Sequence, residues 1–196
     1  FCLTSGGDWY FGNDCSTIQC DKANPCDEAE ITQLPASVVE DWFAGTSASD
    51  AKEGIDYRRA EYVNLESVSK IRVFGFQLRF DNDDNEWFTC DDGLPFNVRN
   101  YSDAGGTPGK VIEEQLDLQA TAYPTGSMYA GLYELIQWEI DVSLLDVEHL
   151  SIQSASEGLD CWFLWMNSAS GDGVSSRFNN GVWISETYDL SICVDE

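Results

Sequence analysis

From Phe96 to Ile112 the chain reads FNVRNYSDAGGTPGKVI, and the order of residue types there leaves little choice of local structure. Phe96 and Val98 alternate with Asn97 and Arg99, the two-residue period of a strand with one buried and one wet face. Tyr101 to Gly109 then packs an Asp, three glycines and a proline into nine residues. Such a composition supplies positive φ and a preset negative φ for a tight reversal. Lys110-Val111-Ile112 restarts an extended segment. Strand, glycine hairpin and strand together make the unit of an antiparallel sheet.

The same grammar continues through most of the chain. Tyr57 to Leu65 is extended in character, and from Val68 onward short apolar runs alternate with turn residues, the pattern of an all-β sandwich or barrel. Strands are expected at 86–90, 95–101, 110–113, 115–122, 131–142, 148–153, 161–166, 181–184 and 189–194. Ile136, Trp138 and Ile140 alternate with Gln137, Glu139 and Asp141, so one face is core and the other wet. Ile71 and Val73 keep one phase while Phe74, Phe76, Leu78 and Phe80 take the other, which implies a bulge at Gly75 or a strand buried on both faces. Ser37 to Phe43 has the spacing of a helical turn or two. No fixed-period repeat occurs, which excludes solenoids and propellers. The expected fold is all-β, an antiparallel β-sandwich over residues 31–196 with a cysteine-rich cap or arm over residues 1–30. Its expected core holds Phe74, Phe76, Phe96, Val98, Ile136, Trp138, Ile140, Ile152 and Ile192.

Seven cysteines are many for a reducing cytosol and point to an extracellular, disulfide-forming chain. Structural zinc is disfavoured, because Cys15, Cys20 and Cys26 are separated by four and five residues with no histidine near them. One bridge is expected among Cys15, Cys20 and Cys26 and one between distant strands, with Cys90–Cys161 the first choice. The odd count leaves a thiol that is either buried or available to another chain. No hydrophobic run approaches a membrane span, and Phe1 reads as a mature, processed end.

The hairpin, written aromatic-x-Val-Arg-x-Tyr-x-Asp-x-Gly-Gly-x-Pro-Gly, resembles one that recurs in secreted bacterial β-sandwich modules. The resemblance runs from about Tyr57 to the C-terminus and includes Ile71-Arg72-Val73-Phe74-Gly75, Leu150-Ser151-Ile152-Gln153 and Cys161-Trp162-Phe163-Leu164-Trp165. It implies a jelly-roll-like sandwich. The chain departs from those modules in its cysteine-rich start and at Val147-Glu148-His149-Leu150-Ser151-Ile152, where they carry a pattern near G-x-Y-W-L-S-I.

Charge narrows the function. With 35 acidic against 10 basic residues the chain carries −25, which repels nucleic-acid phosphates and anionic membranes and argues against membrane insertion. Nothing convergent supports an enzyme: His149 is the one histidine and sits in a strand pattern, read as a surface or edge position. Calcium is the best inorganic candidate. Asp81, Asp83 and Asn85 match the start of a D-x-D-x-N loop, and Asp91 and Asp92 lie close by, although Glu86 occupies the glycine position of an EF-hand. A solvated acidic hairpin is the alternative, and Asp103 and the Gly171-Asp172-Gly173 turn are lesser candidates. Trp87, beside the acidic loop, and Trp9 are candidate platforms for a neutral polysaccharide. The apolar, cysteine-bearing ends, Phe1, Cys2 and Leu3 with Cys193 and Val194, are candidates for docking in another copy, by strand addition or a cross-chain disulfide. An internal Cys2–Cys193 bridge is the competing use of those ends. The expected function is therefore a non-enzymatic extracellular subunit that self-assembles, with calcium its candidate ion, or else a secreted carbohydrate-binding module.

Overall fold

The computed structural model describes residues 26–36, 44–50, 52, 54–81, 86–90, 93–129, 132–156 and 161–196, with residues 2–3, 9–10, 80 and 81 described by their backbone alone. Every regular element among them is a strand. The first half holds β1 (Cys2–Leu3), β2 (Trp9–Tyr10), β3 (Ile31–Gln33), β4 (Ala44–Thr46), β5 (Ala48–Asp50), β6 (Ile55–Asp81), β7 (Glu86–Thr89) and β8 (Phe96–Asp103). The second holds β9 (Pro108–Leu118), β10 (Thr121–Tyr129), β11 (Tyr133–Ser156), β12 (Cys161–Ser168), β13 (Ser175–Asn179), β14 (Val182–Glu186), β15 (Asp189–Leu190) and β16 (Ile192–Asp195).

Two long strands organise the fold. β6 and β11 run antiparallel from the Ile136–Gly75 pair to the Ser151–Ala60 pair. Their ladder slips between Asp141 and Leu144 and again between Val147 and His149. Next to these slips Asn64 has φ 48° and Asp146 has φ 49°, left-handed conformations that Asn and Asp tolerate better than other side-chain-bearing residues. Bulges of this kind bend a ribbon without ending it. On one side of the bend the strand order is β10-β11-β6-β16-β3; on the other it is β9-β8-β11-β6-β13-β14. Every pairing among the described strands is antiparallel except that of β5 with β11.

Both halves of the ribbon contribute to one core. Val63, Val147 and Leu150 from one half meet Ile71, Val73, Trp138 and Ile140 from the other, with Phe96, Val98, Phe163, Trp165 and Ile192 packed among them. Burying side chains of this size stabilises by about 1.5–3 kcal/mol each before entropy is counted. On the opposite face of β6, Phe74, Phe76 and Leu78 pack with Leu135, Met166 and the Cys26 and Cys193 sulfurs. Of the two readings of the phase change at Gly75, burial on both faces is the observed one, because Gly75 stays in register with Ile136 on one side and Trp165 on the other. Glycine is required there by contact: a Cβ would lie 2.3 Å from the Leu164 carbonyl oxygen and 2.5 Å from the Phe163 ring. All nine expected core residues are buried except Ile136, which is half-buried against the cluster.

Several expectations change. The separate segments expected at 131–142 and 148–153 are one strand, as are those on either side of Leu65, since the ladder bends near the left-handed Asn64 and Asp146 without ending. β13, a polar SSRFN stretch with no apolar alternation, is an additional strand. The helical turn read at Ser37 to Phe43 lies outside the described residues, as does most of the 1–30 segment.

Cys90–Cys161 is bridged as expected and joins the end of the β7 hairpin to β12. A second bridge joins Cys26 to Cys193; Cys15 and Cys20, the other members of the trio in which a bridge was expected, lie outside the described residues. Two disulfides are the mark of folding in an oxidising environment. No described helix is long and apolar enough to cross a membrane.

Candidate functional site

Three aromatic side chains from separate strands gather on one surface. Tyr57 on β6 is 48% exposed and meets Trp162 on β12 edge-on at 6.2 Å, and Trp162 meets Trp87 on β7 at 6.3 Å. β12 and β7 lie on opposite sides of β6 near Leu78, and β5 returns the chain to Tyr57, so three distant segments supply one strip. Trp87 is 38% exposed, and its carbonyl accepts a bond from the Tyr133 hydroxyl at 3.2 Å. Rings in such a row keep apolar faces in water, the surface on which a sugar's CH face stacks.

The strip opens into a cavity of about 310 Å³ lined by Tyr57, Trp162, Phe178 and three arginines, Arg58, Arg59 and Arg177. Arg59 and Arg177 are direct cross-strand neighbours, an arrangement of like charges that destabilises a sheet unless each finds a partner. Each does: Arg58 forms a two-pronged pair with Asp56, Arg59 donates to the Tyr188 hydroxyl, and Arg177 pairs with Glu186. Burial raises the Tyr188 pKa, with Arg59 opposing it, so the phenol stays neutral. The Arg59 guanidinium also lies where a side chain on residue 45 would sit, which explains Gly45. On the neighbouring wall, buried Gln153 donates to Asp56 Oδ1 at 3.1 Å and to the Tyr57 carbonyl at 2.9 Å, and accepts from Arg99 at 2.8 Å. Burial alone would raise the Asp56 pKa, but the Arg58 and Gln153 bonds outweigh it and lower it. The tyrosine backbone beneath the strip is thereby held by a polar network that runs from Arg58 to Tyr101 and Arg99. A second cavity, of about 690 Å³, shares Asp56, Arg58, Arg99 and Gln153 with that network.

Elsewhere Glu61, Asp172 and Asp189 bring carboxylate oxygens within 4.8 Å of one another. Glu61 is fully buried and Asp189 is 5% exposed. Burial, with the charges of Asp189 and Asp172 added and the Leu190 N–H opposing, pushes the Glu61 carboxyl up to about 9. Burial likewise raises Asp189, with Asp172 adding to the effect.

The residues singled out from sequence are scattered. Trp87 joins the aromatic strip, and Tyr57 and Trp162, which complete it, come from distant segments. Cys2–Leu3 pairs with Trp9–Tyr10 as a short hairpin, while Phe1 lies outside the described residues. Asp81 closes the β6–β7 hairpin opposite Glu86, and Asp83, Asn85, Asp91 and Asp92 fall outside the described residues. The C-terminal end requires correction. Val194 is fully buried between Ile31 and Ile71, and Cys193 is bonded to Cys26, so neither the Cys2–Cys193 bridge nor a cross-chain bridge through Cys193 is formed. Apolar character at a chain end signals burial; here the burial is within the chain's own sheet. His149 is also corrected: it is 2% exposed, lies between Tyr62 and Tyr101 in the ladder, and binds Asp103 through Nε2 at 3.1 Å. That bond, with those from Gly106 and Gly105, lowers the Asp103 pKa and fixes the 103–107 turn.

Of the acidic group, Asp172 was visible in its Gly-Asp-Gly turn, whereas Glu61 and Asp189 carry no local sign. A scan of family models, a search of curated proteins and a search of solved structures each find no match for this chain.

Proposed function

We propose that this protein is a secreted, non-catalytic β-sandwich module that holds a neutral polysaccharide against Tyr57, Trp162 and Trp87. The observation that carries the proposal is the edge-to-face row of these three side chains, two of them well exposed, beside a cavity rich in guanidinium donors. Rings supply stacking area, and donors at the cavity rim supply hydrogen bonds to hydroxyls, the division of labour common to small-molecule sites. A neutral chain is favoured over an acidic one for two reasons. The arginines already have partners, and a net charge of −25 repels polyanions at long range. Affinity electrophoresis against a panel of neutral and acidic polysaccharides tests this. A neutral polysaccharide should retard the protein, and Tyr57→Ala and Trp87→Ala should each weaken retardation several-fold while circular dichroism stays unchanged. Retardation by no member of the panel, or retardation that both variants leave intact, overturns it.

One observation favours a second reading, self-assembly. β9 is an edge strand paired on one side to β8, and it exposes Val111, Ile112 and Leu116. An edge of this kind is a template for strand addition, and bulges along it are the usual protection. β9 has such irregularities, at three places along its pairing with β8. If β9 pairs with a second copy, sizing should show a concentration-dependent dimer or polymer that Ile112→Lys dissolves. A single monomeric peak at high concentration removes this reading.

A further inference from the structure

Glu61, Asp172 and Asp189 take no part in the aromatic strip or in the β9 edge, and their arrangement is costly unless something neutralises it. No lysine or arginine among the described residues forms an ion pair with any of the three. Backbone donors occupy part of the group: Leu190 N–H donates to Glu61 Oε2 at 2.9 Å, Gly173 N–H to both Asp189 oxygens, and Val174 N–H to Asp172 Oδ1 at 2.9 Å. Gln33 also hydrogen-bonds to the Glu61 carboxyl, and beyond these bonds the Glu61 Oε1 atom, on a side chain with no solvent exposure, has no further partner. Gln33 Oε1, on a side chain 7% exposed, is equally bare. A buried acceptor left unmet in this way costs a desolvation penalty that native folds rarely accept.

The loop that carries Asp172 is pressed onto the group. A Cβ on Gly171, whose φ is 135°, would lie 2.3 Å from Asp189 Cγ and 2.4 Å from Gln33 Nε2. Any side chain at 171 would therefore force the loop away from the acids. Asp172 and Asp189 stand within hydrogen-bonding reach of each other. Protons on Glu61 and between the two aspartates would neutralise the group piecemeal. A cation would serve all three at once. Oxygens bound to one calcium ion, at about 2.4 Å each, are separated by at most about 4.8 Å, twice the bond length. The three oxygens lie within that span of one another.

We infer that Glu61, Asp172 and Asp189 bind one divalent cation of the calcium class where β6, β15 and the 169–174 loop meet. The ligands are all hard oxygens and irregularly arranged, which suits calcium better than the strict octahedron of magnesium. Asp172 also lines a cavity of about 260 Å³ with Tyr62, Asp103 and His149, which gives the ion access and room for water ligands. The site is distinct from the 81–92 acidic loop and from the saccharide strip, so its test does not depend on either.

The experiment uses the full chain dialysed against a chelator, then titrated with calcium chloride by calorimetry and melted with and without the ion. One calcium per chain should bind. At a hundredfold excess over Kd the melting temperature should rise on the order of 5–10 °C. Glu61→Gln, which keeps the shape of the buried neutral carboxyl but cannot release a proton to become an anionic ligand, should remove that rise while melting no lower than the calcium-free wild type. Should Glu61→Gln fail to fold, Asp172→Asn on the exposed loop should weaken binding at least tenfold. The absence of both heat and melting shift for calcium, magnesium and manganese leaves a shared proton as the explanation and overturns the inference. A response undiminished in Glu61→Gln or Asp172→Asn but lost in Asp83→Asn also overturns it, by moving the ion to the 81–92 loop.

Discussion

Glu139 holds two cations on the wet face of β11: Lys70 Nζ lies 3.1 Å from one oxygen and Arg72 Nε 3.2 Å from the other. Arg72 also makes a two-pronged pair with Asp195, so one guanidinium ties β11, β6 and the last strand together. Partial burial alone would raise the Glu139 pKa, but the Lys70 and Arg72 bonds outweigh it and hold the carboxyl below its ordinary 4.5. The folded state therefore binds this proton less readily than the unfolded chain. Its stabilisation is complete above pH 4.5 and is lost as pH falls through the lower folded value. Glu139→Gln should cost about 1 kcal/mol at neutral pH and flatten the loss of stability in the acid window that opens as pH falls below 4.5. Urea unfolding at both ends of that window checks it, and an unchanged acid limb would contradict it.

Strands decide the next level. β16 is the last element of the chain, yet it lies between β3 and β6, with Ile192 and Val194 in the main core. A two-sided strand of this kind locks the sheet only if it stays in place, and the Cys26–Cys193 bridge holds it against the turn that precedes β3. The loop it closes spans a sequence separation of 167, so the unfolded chain loses much of its freedom. Replacing both cysteines by alanine should cost roughly 2–5 kcal/mol in denaturant unfolding. The cost should be larger than that of breaking Cys90–Cys161, whose separation is 71, if loop closure dominates. Equal losses would mean that local packing around the sulfurs, rather than chain entropy, sets the contribution.

For the whole molecule the dominant long-range term is the charge of −25. Repulsion among exposed carboxylates opposes the compact state and is screened by salt. Raising sodium chloride from about 0.01 M to 0.5 M should therefore raise the melting temperature, and a fall would mean that ion pairs such as Arg72–Asp195 outweigh the repulsion. The same scale separates what the sequence determined from what tertiary structure decided. Alternation marked Phe96, Val98, Trp138 and Ile140 as core, because the two-residue period of a strand fixes which side chains share a face before any partner is chosen. The Asp103 hairpin and the Cys90–Cys161 pair were legible for similar reasons, one from turn chemistry and one from strand position. That β6 and β11 run on unbroken through the left-handed Asn64 and Asp146 was not legible, since a residue's tolerance of positive φ does not say whether the ladder continues past it. The aromatic strip and the group of Glu61, Asp172 and Asp189 were not legible as units. Each is assembled from segments far apart in the chain, and their meeting depends on the bend in the β6–β11 ribbon and on non-local pairing energies that no local pattern of residues contains.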